Sequence, residues 1–155
     1  MDRSSPDGDL LRAYAATRWL VAHPDGELTL RVGHPAPAPL HRTAVVTAYN
    51  PRSRPLSAAR NRLADAALRR RLRGMDLRFH SVEAVPEGSG GDAWREPGYA
   101  VRCTPDVAVA LGRRYGQNAI LWVVGGGWVQ LIATRPGFCG AAPGEVLALP
   151  AEEEC

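Results

Sequence analysis

Apolar residues recur along this chain with two different spacings, and the spacing names the element. Leu28, Leu30 and Val32 alternate with Glu27, Thr29 and Arg31, the period of a half-buried strand. Trp19, Leu20 and Val21 predict a strand before it, and Pro24-Asp25-Gly26 joins the two as a hairpin turn. Leu10, Leu11 and Tyr14 are spaced for a first helix running from Asp9 to about Ala16. Gly33 to Pro39 reads as an extended linker whose prolines oppose a regular ladder, with a short helical turn around Leu40 to Arg42.

The run Ala44 to Tyr49 predicts a buried strand that Asn50-Pro51 ends, because the residue before a proline is pushed out of the helical region. The longest helix follows, capped by Ser57 or by Ser53 and stopped near Gly74. Its apolar stripe is Ala64, Leu68, Leu72 and Met75. Asp76 to Val85 alternates as a strand, Glu87 to Asp92 reads as a flexible loop, and Trp94 and Tyr99 are placed to pack on the core. Glu96 falls in a turn stiffened by Pro97, and Tyr99 to Cys103 predicts a strand. Thr104-Pro105-Asp106 supplies a cap, a first-turn proline and an acid for a helix that buries Val107, Leu111 and Tyr115 and ends at Gly116. Ala119 to Val124 and Trp128 to Thr134, joined by three glycines, form the clearest hairpin.

This order, hairpins without regular strand–helix alternation, predicts an α+β fold: a single domain with an antiparallel or mixed sheet covered by two to three helices. The 155 residues suit one domain. We place it at 9–134, between a flexible N-terminus (1–8) and a loosely ordered tail rich in Pro, Gly and Glu (135–155).

Composition removes several classes. No apolar run reaches the ~20 residues of a membrane-spanning helix, and the polar, acidic start resembles neither a secretory signal nor a transit peptide, so a cytoplasmic location is expected. Cys103, Cys139 and Cys155 are too few and scattered for a disulfide framework, and neither they nor the four histidines show metal-ligand spacing. No metal and no cofactor is expected. Cys139 could be a reactive thiol only in an electropositive, partly exposed setting. Net charge is +3, with every basic side chain an arginine. Arg60, Arg62, Arg69, Arg70, Arg71 and Arg73 crowd the polar face of the long helix, either a solvated surface or a face for nucleic acid or an acidic protein.

The remaining chemistry is uncharged. Asn50, Ser53, Ser57 and Asn61 gather at the loop and the start of the long helix. One reading makes them caps and loop fasteners. The other makes them a strand–loop–helix site for a small polar or anionic ligand, aided by the helix dipole. Gln117 and Asn118 divide in the same way between backbone satisfaction and ligand contact.

These residues carry a resemblance. Thr47-Ala48-Tyr49-Asn50-Pro51-Arg52-Ser53 with Ser57 and Asn61, then Trp94-x-Glu96-Pro97-Gly98-Tyr99, then Arg113-Arg114-Tyr115-Gly116-Gln117-Asn118-Ala119-Ile120, resemble three successive motifs of the bacterial domain-of-unknown-function family 3293, over roughly Leu10 to Thr134. The resemblance implies no activity. It does sharpen one hypothesis: if the sheet brings the polar motif residues together, they make a pocket rich in amides with Glu96 its carboxylate. Amides read hydrogen-bonding patterns but do not titrate near neutrality, which favours recognition over catalysis. Two alternatives stand beside ligand recognition: a small enzyme with Glu96 as general acid or base, and nucleic-acid binding through Arg60, Arg62, Arg69, Arg70 and Arg73.

Overall fold

The computed structural model describes residues 5–87 and 95–149. Trp94, most of the 87–92 loop, Cys155 and the last acidic residues lie outside the described residues. Three helices, α1 (Pro6–Ala15), α2 (Ala58–Gly74) and α3 (Pro105–Arg114), accompany seven strands: β1 (Thr17–His23), β2 (Gly26–Leu30), β3 (Thr43–Val46), β4 (Phe79–Pro86), β5 (Glu96–Arg102), β6 (Ala119–Val123) and β7 (Val129–Ala133). They form one sheet in the order β2-β1-β4-β5-β3-β6-β7. Every neighbouring pair is antiparallel, so the α+β prediction holds with its antiparallel option.

The sheet curls until its ends meet. Gly33 N–H donates to Val129 O (2.9 Å), Val129 N–H to His34 O (3.0 Å), and Ala36 N–H to Gly127 O (3.1 Å). The segment expected as an unpaired linker therefore closes the sheet against β7. Its prolines limit that contact to single bridges, because proline has no N–H to give.

Alternation sorts the strand residues between two cores. Trp19, Val21, Leu30, Val45, Val82, Ala100, Leu121, Val123, Val129 and Leu131 face the inside of the curl. Ala44, Val46, Tyr99, Val101, Ile120 and Ile132 face outward, where α2 lays down Leu68 and Leu72 and α3 lays down Ala108 and Leu111. β3 is buried on both faces, which explains its unbroken apolar run.

Several expectations need correction. Met75 is 39% exposed rather than core, because the helix has ended and Met75 is its C-cap. Glu96 opens β5 opposite Ala84 instead of lying in a turn; Pro97 is tolerated near the start of that strand. β3 stops at Val46, since Thr47 N–H turns to Gln117 Oε1 (3.1 Å). Residues 6–8 are helical, with Ser5 capping α1. Residues 135–149 are packed rather than loose. Phe138 is fully buried, and Leu147 N–H donates to Leu131 O (2.8 Å), because β7 offers an open edge and the inner core an unfilled end.

Candidate functional site

At one end of the curled sheet, where β1, β5 and β6 begin and β3 and β4 finish, lies a cavity of about 470 Å3. Its apolar part comes from inward positions, Val45, Val82, Ala84 and Leu121, with Leu10 and Ala13 of α1. Tyr14 and Trp19 form an aromatic wall, their rings stacked at 6.4 Å and 13°. Thr47, Tyr49, Asn50, Arg52, Ser53, Glu96, Gln117 and Asn118 supply the polar groups.

The loop after β3 is strained. Asn50, Arg52 and Ser53 all have positive φ (46°, 55° and 59°). Such conformations cost roughly 1–3 kcal/mol each for a non-glycine residue unless the surroundings impose them, with Asn the most tolerant. Here the surroundings do. Asn61, buried on α2, accepts from Asn50 N–H (2.9 Å) and donates to Asn50 Oδ1 (2.8 Å). Leu56 N–H donates to the same oxygen (3.0 Å), and Arg52 N–H donates to Gly116 O (2.6 Å). Gly116 itself needs to be glycine: its φ is +71°, and a Cβ there would stand 2.8 Å from Pro51 Cβ. Asn118 Nδ2 donates to Ser53 Oγ (3.0 Å) and its Oδ1 accepts from Arg135 Nε (2.7 Å). Arg135 in turn binds Asp7 Oδ1 (2.7 Å). The segment read as a tail thus fastens both the cavity rim and α1.

Glu96 is the titratable carboxyl of the cavity. Burial pushes its pKa up from 4.5 to about 7, and a hydrogen bond from the Asn50 side chain opposes the rise. Asn50 therefore spends its carbonyl on the loop and its amide on Glu96. Burial also raises the pKa of Tyr14, the charge of Glu96 adds to the rise, and the Ala119 N–H and Arg135 counter it. Tyr14 stays a phenol donor beside a carboxyl whose pKa burial pushes up toward neutrality.

Five of the residues picked out by sequence meet at this cavity: Asn50, Ser53, Glu96, Gln117 and Asn118. Ser57 and Asn61 do not line it. Ser57 caps α2, its Oγ accepting from Arg60 N–H (3.2 Å), and Asn61 acts through Asn50. Tyr14, Trp19, Tyr49 and Arg52 line the cavity without having been singled out as site residues. The signal of the three aromatics in the sequence, apolar rings at core spacing, is the same one that marks an ordinary core. Arg60, Arg62, Arg69, Arg70 and Arg73 are exposed on α2 and do not line the cavity. Asp65, in contrast, turns inward to accept from Tyr99 OH (2.8 Å).

Among the described residues no group of three or more His, Cys, Asp or Glu side chains could hold a metal, and no helix is long and apolar enough to cross a membrane. Burial, then the charge of Asp7, pushes the Cys139 thiol up, which works against reactivity.

No curated protein and no solved structure matches the chain. A family match covers the strained loop, α2, β4, β5 and α3, narrower than the Leu10 to Thr134 reach of the motif resemblance, and it omits Tyr14 and Trp19. Over residues 46–120 the chain matches the family described as protein of unknown function (DUF3293).

Proposed function

We propose that the protein recognises a small ligand with an apolar or aromatic body and a hydrogen-bonding end, held in the cavity beside Glu96. The observation that carries this reading is convergence: polar side chains from three separated motifs stand around one aromatic-walled cavity of about 470 Å3. The polar form of the ligand fits better than the anionic one. The capped N-terminus of α2 lies off the cavity, and the backbone N–H groups of Arg52, Ser53 and Arg54 already donate to carbonyls. Glu96, its pKa pushed by burial to about 7, can donate or accept, and the Asn50 side chain hydrogen-bonds it. The cavity also maintains this carboxyl at a cost to stability above neutral pH, as expected of a group kept for binding.

The test is a thermal-shift screen with aromatic amino acids and their amides, nucleosides, and small aryl amides, followed by the change in intrinsic tryptophan fluorescence that Trp19→Phe should remove. A ligand at ~100 times its dissociation constant stabilises the fold by roughly 2.7 kcal/mol. The shift should vanish in Glu96→Gln and persist in Arg70→Gln. A hit indifferent to both Glu96→Gln and Asn50→Ala would move recognition away from this cavity.

A second reading, Glu96 as general acid or base, is favoured by the pKa of about 7. Compounds that bind would be watched by proton NMR for turnover. Turnover lost in Glu96→Gln with binding retained supports it; bound compounds that never change count against it. The free thiols of Cys103 and Cys139 suit the reducing conditions of a cytoplasmic setting.

A further inference from the structure

The curled sheet has a second end, and its lining is basic. We propose that this end is a separate binding site for a phosphate-type anion, formed by Arg78, His80, Arg102, His23 and Thr43. These side chains, with Pro39, Leu40 and Ala100, line a cavity of about 130 Å3. That is room for a single phosphate-sized group and too little for the body of a larger ligand.

The strand register puts them there. His80 lies opposite Ala100 in the β4–β5 ladder, and Arg102 N–H donates to Arg78 O (2.9 Å), so the two arginines stand side by side. Val21, Val45, Val82 and Ala100 are inner-core residues, and His23, Thr43 and His80 share their faces two positions along. The same alternation that fills the middle of the curl with valine therefore ends in imidazoles, a hydroxyl and guanidiniums.

Three observations say what fits. Like charges placed opposite one another in a ladder are unfavourable without a counter-charge. Among the described residues neither Arg78 nor Arg102 forms an ion pair. The His23 and His80 rings lie 4.8 Å apart at 59°, and burial, then the nearby His23 ring, holds the His80 pKa below its usual value, a penalty that an anion between the rings would oppose. Asp25 N–H donates to His23 Nδ1 (3.1 Å), which places the proton of the neutral ring on Nε2 and makes that nitrogen a donor. Asp25 is also the carboxylate near this cluster, 3.6 Å from His23 Nδ1. A metal ion on the two imidazoles is the competing occupant. Two guanidiniums on the same cavity oppose a cation, and two imidazoles alone are a short ligand set. An anion meets two guanidiniums of matching charge, two imidazoles and the Thr43 hydroxyl, which makes no hydrogen bond of its own among the described residues.

The experiment uses the full chain at low salt, with inorganic phosphate titrated by calorimetry and followed by histidine NMR signals at about pH 6 and about pH 8. The expected result is one saturable site, tighter at the lower pH, with the His80 titration moved upward by phosphate. Arg78→Gln with Arg102→Gln should weaken binding by about tenfold or more without lowering the melting temperature. If the double variant fails to fold, Arg78→Gln alone, at an exposed position, decides the point by whether affinity falls. Phenyl phosphate binding as well as inorganic phosphate would assign a phosphomonoester; inorganic phosphate alone would assign the free ion. Glu96→Gln should leave this binding unchanged, which separates it from the first cavity. Absence of saturable binding, binding indifferent to Arg78 and Arg102, or zinc binding at the histidines that displaces phosphate would each overturn the proposal.

Discussion

The two ends of the curled sheet are made from the same strands and differ in how they are finished. The basic end is finished by strand termini and a short turn, so its groups are wherever the register leaves them. The end around Glu96 is finished by a strained loop, a helix and the 135–149 segment, tied by Asn61, Gly116, Asn118 and Arg135. It is also the roomier, about 470 Å3 against about 130 Å3. Strand alternation alone creates an opening and selects what faces it. Depth and preorganisation require long-range ties, and those ties hold a backbone that would not adopt its shape unaided.

The sharpest way to break this contrast is Phe138→Ala. Phe138 is fully buried with Arg135 stacked 5.1 Å over its ring, and its loss should destabilise the fold by about 3–5 kcal/mol. Denaturant unfolding would measure it; a change below ~1 kcal/mol would return residues 135–149 to the status of a loose tail.

Glu96→Gln comes next, and its sign depends on pH. The folded carboxyl binds its proton more tightly than the unfolded one, with a pKa of about 7 against 4.5. Its contribution is therefore fully present below the unfolded value and is lost as pH rises through the folded one. Wild type should lose about 2–3 kcal/mol between those two pKa values, and the Gln variant should be the more stable above neutrality by a similar amount. Urea midpoints across that pH window test it. Parallel profiles for the two proteins would mean that Glu96 is solvated.

Asn61→Ala should remove about 2 kcal/mol, since it strips two hydrogen bonds from Asn50 and releases a strained loop. It should also abolish binding at the Glu96 end while leaving phosphate binding intact. Loss at both ends would show global loosening rather than a local clamp. The smallest effect belongs to Arg70→Gln with Arg73→Gln, exposed on α2, which should stay within ~0.5 kcal/mol and spare both ends.

What the sequence determined by itself was local and periodic. The Trp19 to Val32 hairpin, the Ser57 cap, the Leu68/Leu72 stripe, the Thr104-Pro105 helix start and the glycine-linked hairpin all follow from neighbours a few residues apart. The polar motif residues were legible for a similar reason, because amides and a carboxyl stand out among apolar strands. Their division of labour was not. That Asn61 clamps while Asn50 faces the cavity, that Glu96 opens a strand and is half-buried there, and that Tyr14 and Trp19 wall a cavity as well as pack on the inner core depend on how separate elements pack together. The same holds for the basic end, whose His23, His80 and Arg102 have no sequence spacing in common and become neighbours only through the β1–β4–β5 register. Periodicity specifies which face of an element is apolar. Only the packed sheet decides which apolar or polar positions are left without a partner, and in this protein those positions are its two ends.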